Sequence, residues 1–119
     1  MKNHKELVVW QRSMTLVKEV YRLTNYLPRE ETHGLSAQMR RAAVSIPSNI
    51  AEGNARASEK DFLRFLYIAS GSNAELETQL LLCQELGYLE KDTIKGALSL
   101  SEEISKMIRS LTKKLKAGS

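Results

Sequence analysis

The chain has 119 residues, 42% of them hydrophobic, with two prolines, six glycines and a net charge of +4. This composition excludes a disordered segment and suits one core without staples, since a domain of this size buries roughly 65% of its unfolded surface. The single cysteine, Cys83, excludes an internal disulfide and points to a reducing, cytoplasmic setting; no apolar run reaches the ~20 residues that span a bilayer, and no apolar signal region opens the chain.

The first periodic segment runs from about Val8 to Tyr26. Trp10, Met14, Val17, Tyr21 and Thr24 alternate spacings of four and three, and Val9, Leu16, Val20, Leu23 and Leu27 run beside them. The two rows predict one broad apolar helix face, which Pro28 stops. The second segment runs from about Gly34 to Asn54, with Leu35, Met39, Ala42, Ala43, Ile46 and Ile50 as its apolar stripe and Gly53-Asn54 as its expected stop. The third begins at Ser58, where Ser58-x-x-Asp61 has the form of a capping box. Phe62, Phe65, Leu66, Ala69, Asn73, Leu76, Leu80 and Cys83 make one face of it, and Leu63, Tyr67, Ala74 and Leu81 widen that face. A helix so apolar is expected to be buried on two sides. Gly71 and Ser72 are small enough to admit a neighbouring backbone, and Gly87 is placed as the C′ residue that ends the helix. The fourth segment covers about Lys91 to Leu115, where Ala97, Ser101, Ile104, Ile108, Leu111 and Leu115 approach a heptad seam that Leu98, Leu100 and Met107 widen.

The links between these segments are short, which favours antiparallel neighbours. The expected fold is all-α: a single domain over residues 1–119, an up-down-up-down antiparallel four-helix bundle.

Pro47 interrupts the second stripe. It has no N–H to give to the Ala43 carbonyl, and its ring crowds that carbonyl, at a cost of about 3 kcal/mol in a helix interior. Yet Gln38, Arg41, Ser45, Asn49, Glu52 and Arg56 keep one phase across it, within a strip about 80° wide at about 100° per residue. The segment beyond the proline is too short to be helical alone. The sequence therefore predicts one kinked helix, with Ser45, Ser48 or Asn49 serving the freed backbone groups. The strip borders the apolar face. It fits a polar seam fixing helix register, with Arg41, Glu52 and Arg56 pairing with Glu75 or Glu77. It also fits a site for phosphate or a protein partner, or a catalytic site.

Few residue patterns in the chain carry chemistry. A di-iron bundle needs several inward Glu residues and Glu-x-x-His pairs on its helices; His4 and His33 are the only histidines, and the single Glu-x-x-His spacing, Glu30 to His33, falls in the link before the second segment. Glu75 and Glu77, two apart, do not share a helix face. No phosphate loop, GxGxxG or Ser-His-Asp arrangement occurs. The expectation is no enzyme, no catalytic residue, no metal and no cofactor. Glu30 and Glu31 precede the second helix, where they favour its dipole. Cations gather at the end of the chain, with Lys106, Arg109, Lys113, Lys114 and Lys116 and no acid from residue 104 to 119. They suit either a solvated face at a helix C-terminus or a phosphate-binding surface.

Two strings are distinctive. One is Pro28-x-x-Glu31, Leu35-x-x-Gln38-x-x-Arg41-Ala42, Ser45-Ile46-Pro47-x-Asn49-Ile50-Ala51-Glu52-Gly53-x-x-Arg56; the other is Phe62-Leu63-Arg64-Phe65-Leu66-Tyr67-Ile68-Ala69-x-Gly71-Ser72-x-x-Glu75-Leu76-Glu77. With Leu7-x-x-Trp10, and over about residues 7 to 90, they resemble the four-helix-bundle proteins encoded by intervening sequences in bacterial 23S rRNA genes. The accessory variability protein of diversity-generating retroelements belongs to the same superfamily. The resemblance implies a four-helix subunit in a ring-like homopentamer. For the retroelement branch it implies a basic surface that binds nucleic acid and a reverse transcriptase as partner. This chain departs from the more basic relatives at Ala57, Glu59 and Ser70, where relatives often carry Arg or Lys. Two readings follow. In one, the protein is an accessory module of low sequence specificity, with Arg40, Arg41, Arg56, Arg64 and the C-terminal cations on the phosphates of RNA or DNA. In the other, it is a structural or protein-interaction ring, with Gln38, Arg41, Ser45, Pro47, Asn49, Glu52, Gly53, Gly71, Glu75 and Glu77 maintaining contacts.

Overall fold

A computed structural model describes residues 3–118. Four helices account for the architecture: α1 (Val8–Thr24), α2 (Leu35–Asn54), α3 (Glu59–Glu85) and α4 (Lys91–Ala117), with short 3-10 turns at His4–Glu6 and Arg29–Glu31. α1 packs on α2 and α4, and α3 packs on α2 and α4, while the diagonal pairs do not meet among the described residues. Cross-helix contacts run in opposite chain order. Ser45 meets Ser72 and Met39 meets Cys83 between α2 and α3, so neighbours are antiparallel and the bundle is up-down-up-down.

One core fills the centre. Leu16, Val20 and Leu23 of α1, Met39, Ala43, Ile46 and Ile50 of α2, Leu66, Leu76, Leu80 and Cys83 of α3, and Ile94 and Ile104 of α4 are wholly buried. In α1 the row Val9–Leu16–Val20–Leu23 is the core row. The parallel row lies to one side, with Trp10 and Val17 half-buried and Met14 and Tyr21 exposed. The wide face of α3 is likewise divided. Its central row is buried, but Tyr67, Ile68, Leu81, Leu82 and Leu86 stand exposed, so within the single chain α3 is not covered on two sides. Asn73 and Ser101 are both buried where α3 crosses α4. They satisfy each other: Asn73 Nδ2 donates to the Ser101 carbonyl at 2.9 Å and Ser101 Oγ donates to Asn73 Oδ1 at 2.8 Å.

The helix ends follow local chemistry. Ser58 Oγ accepts from the Asp61 N–H at 3.1 Å. Gly87, at φ 76°, closes α3 in a Schellman arrangement, with Tyr88 N–H donating to the Cys83 carbonyl at 2.8 Å and Gly87 N–H to the Gln84 carbonyl at 3.0 Å. Gly53, expected to stop α2, lies inside it. A Cβ there would come within 2.7 Å of Phe65 Cβ and 3.0 Å of the Phe62 ring, so this glycine is set by close approach of α3 rather than by a turn. The reverse holds at Gly71, where a Cβ would meet nothing within 4 Å. Glu31 ties two corners together. Its carboxylate accepts from the Leu35 N–H at 3.0 Å, capping α2, and from the Tyr88 hydroxyl at 2.9 Å, beyond the end of α3.

Gly53→Ala is expected to destabilise the bundle by about 1–3 kcal/mol through overpacking, whereas Gly71→Ala should stabilise it by about 0.5–1 kcal/mol as an unhindered helix position; urea melts compare the two. The Leu35 N–H, then the Tyr88 hydroxyl, hold the Glu31 carboxyl below its ordinary value of 4.5. A lowered carboxyl stabilises fully above its unfolded value and loses that contribution as pH falls through the folded one. Glu31→Ala should therefore melt below wild type at neutral pH, and the gap should narrow as pH falls below 4.5. A gap constant from pH 7 to 3 would remove the ionised cap as its cause.

Candidate functional site

α2 continues unbroken through Pro47, and its two flanks differ. By helical phase, Arg40, Val44, Pro47 and Ala51 face the α1 side. Arg40 confirms the direction, for its Nε donates to Thr24 Oγ1 at 2.8 Å and its guanidinium lies 4.6 Å from the Tyr21 ring centre. The proline thus sits in an apolar flank, buried toward α1. The polar strip lies on the opposite flank, toward α3. Ser45 Oγ is 2.8 Å from Ser72 Oγ, and Asn49 Nδ2 donates to the Ser45 carbonyl at 2.8 Å and the Ser45 hydroxyl at 2.9 Å. Asn49 therefore braces the turn that contains Pro47 and links it to α3.

Other members of the strip do not pair as expected. Arg56, just beyond the end of α2, pairs with Glu52 four residues back at 3.0 Å rather than with an acid of α3. Arg41 and Gln38 are exposed, and Arg41 makes no ion pair among the described residues. Glu75 lies on the α2 side of α3, where it accepts from Gln79 Nε2 at 3.0 Å; Glu77 faces the α4 side, in a groove with Leu81, Lys95 and Glu102. The structure therefore links Ser45, Asn49 and Ser72 between α2 and α3, pairs Glu75 with Gln79 separately on the same side of α3, leaves Gln38 and Arg41 exposed and takes Glu77 to the other side. Gln79, 5% exposed, was not foreseen. Its Oε1 is buried without a partner, and its place three residues after Leu76 in an apolar row was the available signal.

The basic residues fall into two groups. Arg40 and Arg41 sit toward one end of the bundle, about 20 Å from the end of α2 at about 1.5 Å per residue, and Arg56 lies just beyond that end. At the other end, the α2–α3 connection and the C-terminus of α4 come together, with Gly118 beside Glu59. Arg56 and Arg64 lie over the Phe65 ring, at 5.0 and 4.4 Å from its centre. Lys116 Nζ stands 5.4 Å from the centre of the exposed Tyr67 ring. Arg109 lines a shallow depression with Tyr67, Ser70 and Ser105. Lys113 and Lys114 are exposed, and Lys60, exposed at the start of α3, adds a cation that sequence reading did not single out. Lys106 stands back from the end and pairs with Glu102 at 3.4 Å. The cations at this end are surface groups on flexible stems, suited to phosphate oxygens rather than base edges. Cys83 is far from it, wholly buried, with its thiol pushed up to about 11 by burial first and by the Glu31 charge second. Among the described residues, no three His, Cys, Asp or Glu side chains converge on a metal position, and no helix is long and apolar enough to cross a membrane.

A family model described as 23S rRNA-intervening sequence protein matches residues 5–110. Among solved structures, a crystal structure of a protein of unknown function from the S23 ribosomal protein family of Bacteroides thetaiotaomicron VPI-5482 is similar. It shares 27% identity and a TM-score of 0.82, covering 88% of this chain and 98% of that one. No curated protein matches.

Ser45→Ala removes the hydroxyl shared by Ser72 and Asn49, and is expected to cost about 1–2 kcal/mol with helix content unchanged. Ser48→Ala, on the exposed edge of the same helix, should stay within about 0.5 kcal/mol of wild type. Equal stabilities for the two variants in urea melts would show that the seam does not hold α2 to α3.

Proposed function

The chain belongs to the 23S rRNA-intervening sequence protein family, and from that premise we propose that it is a non-enzymatic, cytoplasmic accessory protein that assembles with copies of itself, as a ring-like homopentamer, and binds RNA or DNA with low sequence specificity. One observation carries the nucleic-acid reading. Arg56, Arg64, Arg109, Lys113, Lys114 and Lys116 approach one end of the bundle from three elements distant in sequence, beside the exposed ring of Tyr67. Cations placed this way neutralise phosphates, and an exposed aromatic ring offers a stacking surface that tolerates any base. Nothing at this end reads a base edge, so the affinity is electrostatic and salt-sensitive. Arg40 is held by Thr24, Asn25 and Tyr21 at the other end and takes no part in this surface.

A second reading, a ring that engages a protein such as a reverse transcriptase without touching nucleic acid itself, draws on the exposed apolar side chains of α3. The two readings separate on salt. In the first, log K falls with log[salt] at about 0.7–0.9 units per neutralised phosphate. Replacing Lys113, Lys114 and Lys116 with Ala should lower that slope by about 2–3 units while leaving the circular dichroism unchanged, since all three are exposed. Fluorescence anisotropy with a labelled oligonucleotide measures it. No binding at low salt, or a slope indifferent to the triple substitution, would leave the protein-interaction ring as the better account.

A further inference from the structure

Resting on the nucleic-acid reading above, we propose that a depression between α3 and α4 at the basic end holds one unpaired nucleobase against Tyr67, with its phosphate on Arg109 and Lys116, so that the protein selects single-stranded over double-stranded nucleic acid. The depression encloses about 130 Å³ and is lined by Tyr67, Ser70, Ser105, Ile108, Arg109 and Thr112. That space suits one heterocycle and is too small for a base pair. Its parts match those of a nucleotide. The exposed Tyr67 ring is a flat wall, and the buried Ile108 adds an apolar patch. Ser70 and Ser105 are half-buried, and neither hydroxyl has a hydrogen-bond partner in the protein among the described residues. A hydroxyl both donates and accepts, so the two serve the polar edge of any base without choosing one. Arg109 is exposed and makes no ion pair among the described residues, and Lys116 Nζ stands 5.4 Å from the ring centre.

A duplex keeps the faces of its bases stacked inside and presents phosphates, so it meets the cations of this end and not the ring. An unpaired base lays its face on Tyr67, in a contact that tolerates any base. Lys116, on a flexible stem, yields the ring to the base and keeps the phosphate. Gly71 is an independent sign of the same use. It lies one turn beyond Tyr67, exposed, and a Cβ there would meet nothing within 4 Å. Glycine inside a helix costs stability relative to alanine, and no contact within the chain calls for it here. A side chain at this position would lean back over residue 67, because helical side chains point toward the N-terminus and positions four apart meet. Its absence keeps the ring open to a ligand.

Charge sets the length of the site. Lys60, Arg64 and Tyr67 follow one stripe of α3 by phase, so a strand reaches the ring over cations. Arg64 stands 4.0 Å from Asp61 in an exposed pair, which contributes little and gives way to a phosphate. Beyond Tyr67 the groove changes sign. The next depression shares Ser70 and Ser105 but is bordered by Glu77 and Glu102. Lys106 pairs with Glu102 at 3.4 Å, while Glu77 has no ion pair among the described residues. Phosphates are repelled there, so the strand leaves the groove after the base on Tyr67 and does not run along the bundle.

The test is fluorescence anisotropy across a salt series, with one labelled oligonucleotide presented single-stranded and as a blunt duplex. Wild type is compared with Tyr67→Ala, Tyr67→Trp and Gly71→Leu; both positions are exposed, so circular dichroism should not change. Tyr67→Ala should weaken single-strand binding about fivefold to a hundredfold and leave duplex binding as it was. It should also leave the salt slope as it was, since stacking releases no counterions. Tyr67→Trp should bind the single strand at least as well as wild type, and Gly71→Leu should fall toward Tyr67→Ala. Equal losses for single strand and duplex in Tyr67→Ala, or a lowered salt slope, overturn the stacking site and reduce Tyr67 to a support for Lys116. A single-strand affinity that neither Tyr67→Ala nor Gly71→Leu lowers overturns the site while the nucleic-acid reading stands. Binding of neither form by wild type at low salt overturns that reading, and this inference with it.

Discussion

At Gly53 the first turns of α3 pass so close to α2 that one added methyl group would overlap Phe65. Much of the structure depends on that approach. It packs the end of α2 against Phe62 and Phe65 without a side chain between them, and five residues and more away the two helices are still near enough for Ser45 and Ser72 to share a hydrogen bond. Small residues recur along the interface: Ala42 and Ala43, then Ser45, on α2; Ala69 and Ser72 on α3. Dispersion and hydrogen bonding both fall off steeply with separation, so helices that meet over small side chains gain contacts along their whole length. The same approach sets Arg56, in the connection after α2, and Arg64 of α3 over one Phe65 ring, which brings cations of two segments together.

The polar groups of α2 gain meaning from this geometry. A serine and an asparagine one turn apart would weaken an isolated helix, since both offer the backbone competing hydrogen bonds. Here Asn49 gives its amide to the Ser45 carbonyl and hydroxyl, and Ser45 reaches α3. The turn that Pro47 deprives of one hydrogen bond is thereby braced from its other flank. Polar pairs of this kind contribute little net stability but penalise wrong registers, since a slipped helix would leave a half-buried hydroxyl without a partner. Asn73 and Ser101 do the same between α3 and α4, deeper in the core.

The protein gathers no three metal-ligating side chains at one point among the described residues. Its one thiol is buried and held protonated, its histidines are separate, and its carboxylates are exposed or engaged in caps and helix-surface pairs. What remains is shape, an uneven distribution of charge and a set of apolar side chains that the single chain leaves in water. The proposed assembly and nucleic-acid binding draw on these features.

Much was legible in the sequence because it depends on near neighbours in the chain. Apolar residues at helical spacing gave four helices, short links gave antiparallel neighbours, and Ser58 and Gly87 marked a start and an end through bonds made within a few residues. The constant phase of the strip from Gln38 to Arg56 showed that α2 passes through its proline. What the sequence left open were matters of distance between elements. Of two parallel apolar rows on α1, only packing decided that Val9, Leu16, Val20 and Leu23 face the core while Met14 and Tyr21 face out. Gly53 and Gly71 look alike as letters, yet only the path of α3 makes one indispensable and leaves the other in open space. Nine candidate cations formed a single set in the sequence. The fold parts Arg40 and Arg41 from the group at the far end, because helical rise carries the end of α2 about 20 Å from them. Spacing along one chain fixes which side chains share a helix face. Which faces meet, and how closely, is fixed only when all four stripes are buried in one core.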